Sequence, residues 1–190
     1  MTYLHSPYVV GFHGCDREVG LNLVTGKEKL KANNRRYHWL GSGIYFWEND
    51  PERALEWAQE KSSRGEIKEP YVIGGLIELG KCLDLSVRQN APLIKAAHDS
   101  LLALTIASGK PALPENQTAP KDTRPDKVRR FKDCAVINHL AQLADPPFDT
   151  VRGLFVEGEP LYPGAEIYHK THAEIAVRNP ACIKGLFLPL

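Results

Sequence analysis

No apolar run in this 190-residue chain approaches the ~20 residues that a bilayer-crossing helix needs. Leu101–Ala107, broken by Thr105, and Gly185–Leu190 are typical of its longest runs, so a membrane-spanning class is excluded. Cysteine is sparse: Cys15, Cys82, Cys134 and Cys182 lie far apart with no CxxC pair, so neither a zinc site nor a disulfide framework is expected, and a reducing cytoplasm fits best. Charge of one sign is also missing. Lys plus Arg total 24 against 23 for Asp plus Glu, which excludes a bulk polycation but leaves room for a local basic patch. Met1–Val10 lacks a basic leader followed by an apolar stretch, so a secretory signal is not expected there. What is present is 43% hydrophobic and 25% charged residues, the balance of an ordinary soluble globular protein rather than a disordered one. A chain of this length can bury roughly 70% of its unfolded surface, so one domain over residues 1–190 is expected without any staple.

Along the chain no internal repeat is found. Gly109–Arg130 holds four prolines and little that a core could use, and is expected to form an exposed loop or insertion. Short segments with strand character fall at Tyr8–His13, Tyr71–Leu79, Leu154–Val156, Ile167–Tyr168, Glu174–Val177 and Lys184–Leu188. Asp50-Pro51 supplies an N-cap and a first-turn proline to a helix carrying Ala54, Leu55 and Ala58 at helical spacing. Phe131, Ala135, Val136, Leu140 and Leu143 mark a second helix, stopping before Pro146-Pro147, and Pro92–Ser108 marks a third. Strands and helices mix without regular βαβ alternation, which predicts an α+β fold.

Three segments carry the chemistry. In Tyr37–Trp57, Gly41-Ser42-Gly43 precedes Ile44-Tyr45-Phe46 and then the capped helix. Glycines there admit a close ligand, and a tyrosine after such a turn can offer its ring face to a planar group. His13-Gly14 ends the first strand, setting an imidazole beside an unhindered backbone N–H and C=O. Thr171–Asn179 alternates as a strand, with Glu174 and His172 able to share a face. Each has a plainer reading alone: a loop-to-strand turn with core aromatics, a histidine beside a turn glycine, a solvent-facing glutamate.

In this order the three segments resemble the His-Tyr-Glu group of ADP-ribosyltransferases, the poly(ADP-ribose) polymerase-like and diphtheria-toxin-like enzymes. The matches are His13-Gly14, Gly41-Ser42-Gly43-Ile44-Tyr45-Phe46 with Ala54 beyond, and Glu174, spanning most of the chain. The likeness is closest to small bacterial members with toxin or phage-defence roles. It implies an ADP-ribosyltransferase-like fold, a split pair of antiparallel-rich sheets around an NAD cleft with flanking helices. It also implies NAD as co-substrate, without a metal. His13 would donate to a ribose hydroxyl, the Gly14 backbone would pair with the nicotinamide amide, and Tyr45 would stack on the nicotinamide ring. Ser42 and Gly43 would line the same cofactor site. Glu174 would stabilise the oxocarbenium-like centre formed as the nicotinamide–ribose bond breaks. Two departures stand out: Cys15 follows His13-Gly14 where the family often has Ser or Thr, and Trp57 is slightly out of register for the second aromatic wall. Trp57 is equally suited to a core position.

The implied activity is mono-ADP-ribosyl transfer onto a protein or nucleic acid acceptor in the cytoplasm, with nicotinamide released, and a neutralising antitoxin as a plausible partner. The alternatives are an RNA 2′-phosphotransferase-like enzyme and an inactive nucleotide- or nucleic-acid-binding module. Lys27–Arg36 carries five basic residues against Glu28, and Lys110–Arg130 six basic against three acidic; either stretch could grip phosphates or remain a solvated loop. Glu157–Lys170, leading into the Glu174 strand, is the expected acceptor contact. Glu157, Glu159 and Glu166 compete with Glu174, because a one-residue slip would turn Glu174 away from the cleft.

Overall fold

The structure, a computed structural model, describes residues 7–110, 112–118 and 127–189. Its first strand, β1 (Tyr8–Asp16), ends at an aspartate whose side chain accepts the Glu18 N–H at 3.2 Å and so starts α1 (Arg17–Val24). After a loop come β2 (Ile44–Glu48) and α2 (Pro51–Ser63), where Asp50 Oδ1 accepts the Arg53 N–H at 2.9 Å and Pro51 fills the first turn, as expected. β3 (Pro70–Glu78), β4 (Cys82–Asp84), α3 (Ala91–Ala107) and α4 (Phe131–Leu143) follow. β5 (Thr150–Phe155), β6 (His172–Val177) and β7 (Ile183–Phe187) complete the order.

The strands form one open seven-stranded sheet in the order β4-β5-β6-β2-β1-β3-β7. Only β4 and β5 run parallel; every other neighbouring pair is antiparallel, which with the helices makes the fold α+β. The expected pair of sheets is therefore a single sheet, but its middle seam is thin. β1 meets β3 in nine residue pairs and β2 in only two, Gly11↔Glu48 and Phe12↔Trp47.

Pleat alternation sorts the core onto two faces. One face buries Leu83, Val151, Phe155 and Ala176 of the sheet against Val136, Ile137 and Leu140 of α4 and Ala97 of α3, while α2 lies over β1 and β3. The other buries Ile44, Phe46, Ile77, Ile175 and Val177, with α1 covering Cys15 and Ile73. Phe46, wholly buried at the centre of β2, is the largest side chain without exposure among the described residues.

Several sequence expectations are corrected. Ile167–Tyr168 is not a strand but part of a loop, touching the sheet pattern only through an isolated Pro160↔Tyr168 bridge, because the surrounding Pro163 and Gly164 break extended pairing. β4 and α1 have no counterpart in the expected strands and helices, whereas β2 follows the Gly41-Ser42-Gly43 turn as the plainer loop-to-strand reading has it. Gly109–Arg130 is not simply solvated: Leu113 is buried, Gln117 pairs with Arg129, and Val128 C=O accepts the Trp39 indole N–H at 2.8 Å. Residues 111 and 119–126 of that stretch lie outside the described residues. No helix among the described residues is long and apolar enough to cross a membrane.

Candidate functional site

The site is built where the β1–β2 ladder stops. Asn49 N–H donates to Val10 C=O at 3.0 Å, which fixes Val10, Phe12 and Gly14 as the β1 residues whose amides face β2. A regular ladder would next pair Gly14 with Tyr45. That pair is absent, and the Tyr45 carbonyl instead accepts from His13 Nδ1 at 2.7 Å. The imidazole thus occupies the place of the Gly14 amide, and Gly14 N–H and C=O are directed into the gap with no ladder partner on that side. Burial pulls the His13 pKa below its usual value, only partly opposed by this carbonyl. The ring is then neutral, with Nδ1 protonated, so Nε2 is an acceptor rather than the donor expected from the sequence.

Gly14 is also required by packing. A Cβ there would sit 2.3 Å from the Ala54 carbonyl oxygen and 3.2 Å from Trp57 Cε3, so α2 can approach this closely only over a glycine. Trp57 consequently stands over Gly14 and tilts against Trp47, with ring centroids 5.9 Å apart. Tyr45 and Trp47 share that sheet face, so Tyr45 lies on one side of the gap and Trp57 on the other.

Tyr45 is anchored through its hydroxyl, which donates to Gly41 C=O at 2.6 Å and accepts the Leu40 N–H at 2.9 Å. Burial, and next the nearby Glu174 charge, push its pKa well above the ordinary value, keeping the phenol neutral. The Gly41-Ser42-Gly43 turn is held by its own backbone. Gly41 takes a positive φ of 76°, Ser42 N–H donates to Asn138 Oδ1 at 2.8 Å, and Ser42 C=O accepts from Arg178 at 2.9 Å. Gly43 pairs with Asn33 through both backbone groups. The Ser42 amide and carbonyl and those of Gly43 are thus occupied in shaping the turn that presents Tyr45.

Glu174 stands opposite Trp47 on one side and Gly153 on the other, which fixes the register and turns its carboxylate onto the Tyr45–Trp47 face. It is 8% exposed. Two residues earlier on the same face, His172 Nε2 lies 3.4 Å from Glu174 Oε1 while its Nδ1 donates to the Lys170 carbonyl at 2.6 Å. Burial alone would lower the His172 pKa, but the Glu174 carboxylate and the Lys170 carbonyl together outweigh it and raise the pKa above the usual value. Glu157 is buried too, yet it is committed elsewhere: its Oε2 accepts from Arg53 Nη2 at 3.1 Å, tying α2 to the β5–β6 connection. Glu159 and Glu166 are exposed.

The gap therefore gathers Gly14, Tyr45, Trp57 and Glu174 around one sheet face. His13 reaches the same seam from the opposite face, against Phe46 at a centroid distance of 5.6 Å, and makes no contact with Glu174. Cys15 points away, buried against Leu23 and Ile73 with its thiol pushed up to about 11, by burial first and then by Asp16. Sequence reasoning missed Arg53 and His38. His38 meets the Tyr45 ring edge-on at 4.7 Å, and burial, then Arg35 and Lys61, pull its pKa down to about 4. Neither has a local signature, since Arg53 meets Glu157 across 104 positions. Of the basic stretches, Lys27–Arg36 runs along the start of β2 through the Asn33–Gly43 bridge, with Arg35 3.7 Å from Glu66. Searches against protein-family models and against curated proteins return no match.

Proposed function

We propose that the chain is an NAD-dependent mono-ADP-ribosyltransferase acting on a macromolecular acceptor in the cytoplasm. The observation that carries this reading is the interrupted β1–β2 seam, where Gly14 N–H and C=O are left open side by side next to an aromatic ring and a buried carboxylate. A donor and an acceptor at strand spacing complement a primary carboxamide, which needs one of each. Tyr45 and Trp57 on either side of the gap suit a flat cationic ring between them. On this reading a ribose hydroxyl reaching through the seam would donate a hydrogen bond to His13 Nε2, which lies on its opposite face. Glu174, buried on the Tyr45–Trp47 face, is then the carboxylate that would meet the developing positive charge.

In the reaction the bond between the ribose anomeric carbon and the nicotinamide nitrogen breaks, and its electron pair leaves with nicotinamide, neutralising the pyridinium. An acceptor nucleophile supplies the new pair to that carbon and gives up its proton to water or a nearby base. Glu174 stabilises the electron-poor carbon between the two events. The loop between β5 and β6, which leads into the Glu174 strand, exposes Leu161, Tyr162 and Ile167 and would offer the acceptor contact.

The test compares nicotinamide release and transfer to lysate protein and nucleic acid for three single variants. Glu174→Gln keeps shape and loses charge, so turnover falls by ~10²–10³ while NAD affinity changes only a few-fold. Glu159→Gln, at an exposed position, retains wild-type turnover. Glu157→Gln loses stability rather than chemistry. A Glu174→Gln enzyme with undiminished transfer refutes the assignment, and failure of the wild-type protein to bind NAD in calorimetry refutes the function.

A further inference from the structure

We infer that His172 is the positioning residue of Glu174: its imidazolium holds one carboxylate oxygen and leaves the other directed at the substrate. This rests on the reading of Glu174 as the catalytic carboxylate. The two side chains share one face of β6 two residues apart, and Nε2 lies 3.4 Å from Oε1. The ring has little freedom to turn away. Nδ1 is fixed on the Lys170 carbonyl at 2.6 Å, and the ring plane lies nearly parallel to that of Trp39, 27° apart with centroids at 5.8 Å. The His172 side chain is 1% exposed, so a swap of its partners for water is closed to it. A buried Nε2 with no fully formed hydrogen bond is costly unless it faces an acceptor such as Glu174.

The charged groups around the ring are few. Glu174 faces it from β6 itself. Glu157, from the β5–β6 connection, lies 3.9 Å from Nδ1, but Arg53 of α2 already holds that carboxylate at 3.1 Å, and the Arg53 charge itself works against protonation of the ring. The Lys170 ammonium is drawn off to Glu56 at 3.3 Å and Glu60 at 3.7 Å on α2. Glu174 is therefore left as the carboxylate that the Nε2 proton serves. Because Nδ1–H is retained by a carbonyl, deprotonation removes the Nε2 proton. A lone pair then faces Oε1, and the carboxylate loses its anchor as pH rises, a direction in keeping with the raised His172 pKa.

The experiment pairs a histidine-ring NMR titration of the full chain with nicotinamide release from NAD measured across pH 5.5 to 9 on the wild type, His172→Gln and His172→Phe. In the titration, Glu174→Gln lowers the His172 midpoint and Glu159→Gln leaves it in place; a midpoint indifferent to Glu174→Gln overturns the pairing. In the assay, His172→Phe, which keeps an aromatic ring against Trp39, lowers release by roughly 10- to 100-fold with NAD affinity within a few-fold. His172→Gln, a donor at every pH, recovers most of the neutral rate and lacks the several-fold alkaline decline of the wild type. A folded His172→Phe protein with the wild-type rate and pH profile overturns the positioning role. A wild type that releases no nicotinamide refutes the transferase reading instead, while the titration still decides whether Glu174 holds the His172 proton.

Discussion

At the scale of single residues, Tyr45, the ring proposed to stack on the ligand, also serves the fold. From the sequence, replacing its hydroxyl would be mild, since the ring face was the expected contact. The hydroxyl in fact closes the turn through Gly41 C=O and Leu40 N–H. Tyr45→Phe removes both bonds and leaves the Leu40 amide short of an acceptor. It is expected to cost about 1–3 kcal/mol of stability in denaturant unfolding and to weaken NAD binding through a loosened turn. Tyr45→Ala loses the ring as well and abolishes detectable NAD affinity in calorimetry. Equal NAD affinity for all three proteins would show that the ring lies outside the binding surface. The opposite case is Cys15, which the family pattern would fill with a hydroxyl near the ligand. Its strand position turns it to the α1 face, so Cys15→Ser concerns the core rather than the cleft.

At the scale of elements, α2 is positioned by three independent contacts: the Asp50 cap, the close approach of Ala54 over Gly14, and the Arg53–Glu157 pair. Both partners of that pair are 11% exposed at the side chain, and Arg53 Nε and Nη1 have no hydrogen-bond partner. Removing the carboxylate charge would leave the buried guanidinium only the more distant and more exposed Glu56 carboxylate at 3.8 Å. Glu157→Gln is therefore expected to destabilise the protein by ~3–5 kcal/mol, seen as a lower unfolding midpoint. The double variant Arg53→Met with Glu157→Gln recovers much of that loss, because no uncompensated charge remains. Equal midpoints for Glu157→Gln and wild type would show the pair to be solvated rather than buried. The contrast with Glu174 is instructive. Two buried glutamates lie on this side of the sheet, and their partners differ: Arg53 claims Glu157, whereas Glu174 faces His172 and fits the proposed chemical role.

At the scale of the whole molecule, two half-buried histidines set an acid limit. His13 and His38 both titrate below the ~6.5 of an unfolded histidine, His38 at about 4. Between those values the unfolded chain binds more protons than the folded one, so their contribution is fully present above the unfolded value and is lost as pH falls through the folded one. His172 has the opposite sign: its contribution is complete below the unfolded value and is lost as pH rises through its raised pKa. Melting temperature is thus expected to drop from pH 6.5 toward pH 4. His38→Phe should flatten part of that drop, since His38 Nδ1 has no partner to lose. An unchanged acid slope in His38→Phe would show that the wild-type ring charges freely in the folded state.

Local pattern alone determined much of this protein. The Asp50-Pro51 start of α2, the apolar spacing of α3 and α4, and the strand character of Tyr8–His13, Tyr71–Leu79 and Glu174–Val177 all follow from capping, periodicity and β-propensity within a few residues. These are short-range effects, and the sequence carries them in full. α1 escaped because eight residues with Gly20 at their centre make a poor helix alone; the Asp16 cap and the packing against β3 hold it. β2 was legible only as a strand after a glycine turn, because its aromatic run pairs with a strand far along the chain, through Phe46↔Ile175 and its neighbours. The residue types of the candidate site were legible, as were Glu174 and His172 on one strand face. Only tertiary structure decided that the β1–β2 ladder ends after Phe12, that His13 takes the Tyr45 carbonyl, and that Glu157 rather than Glu174 is claimed by Arg53. Those outcomes depend on which distant strand or helix arrives beside each residue, and competition among long-range partners leaves no mark on the local pattern of the chain.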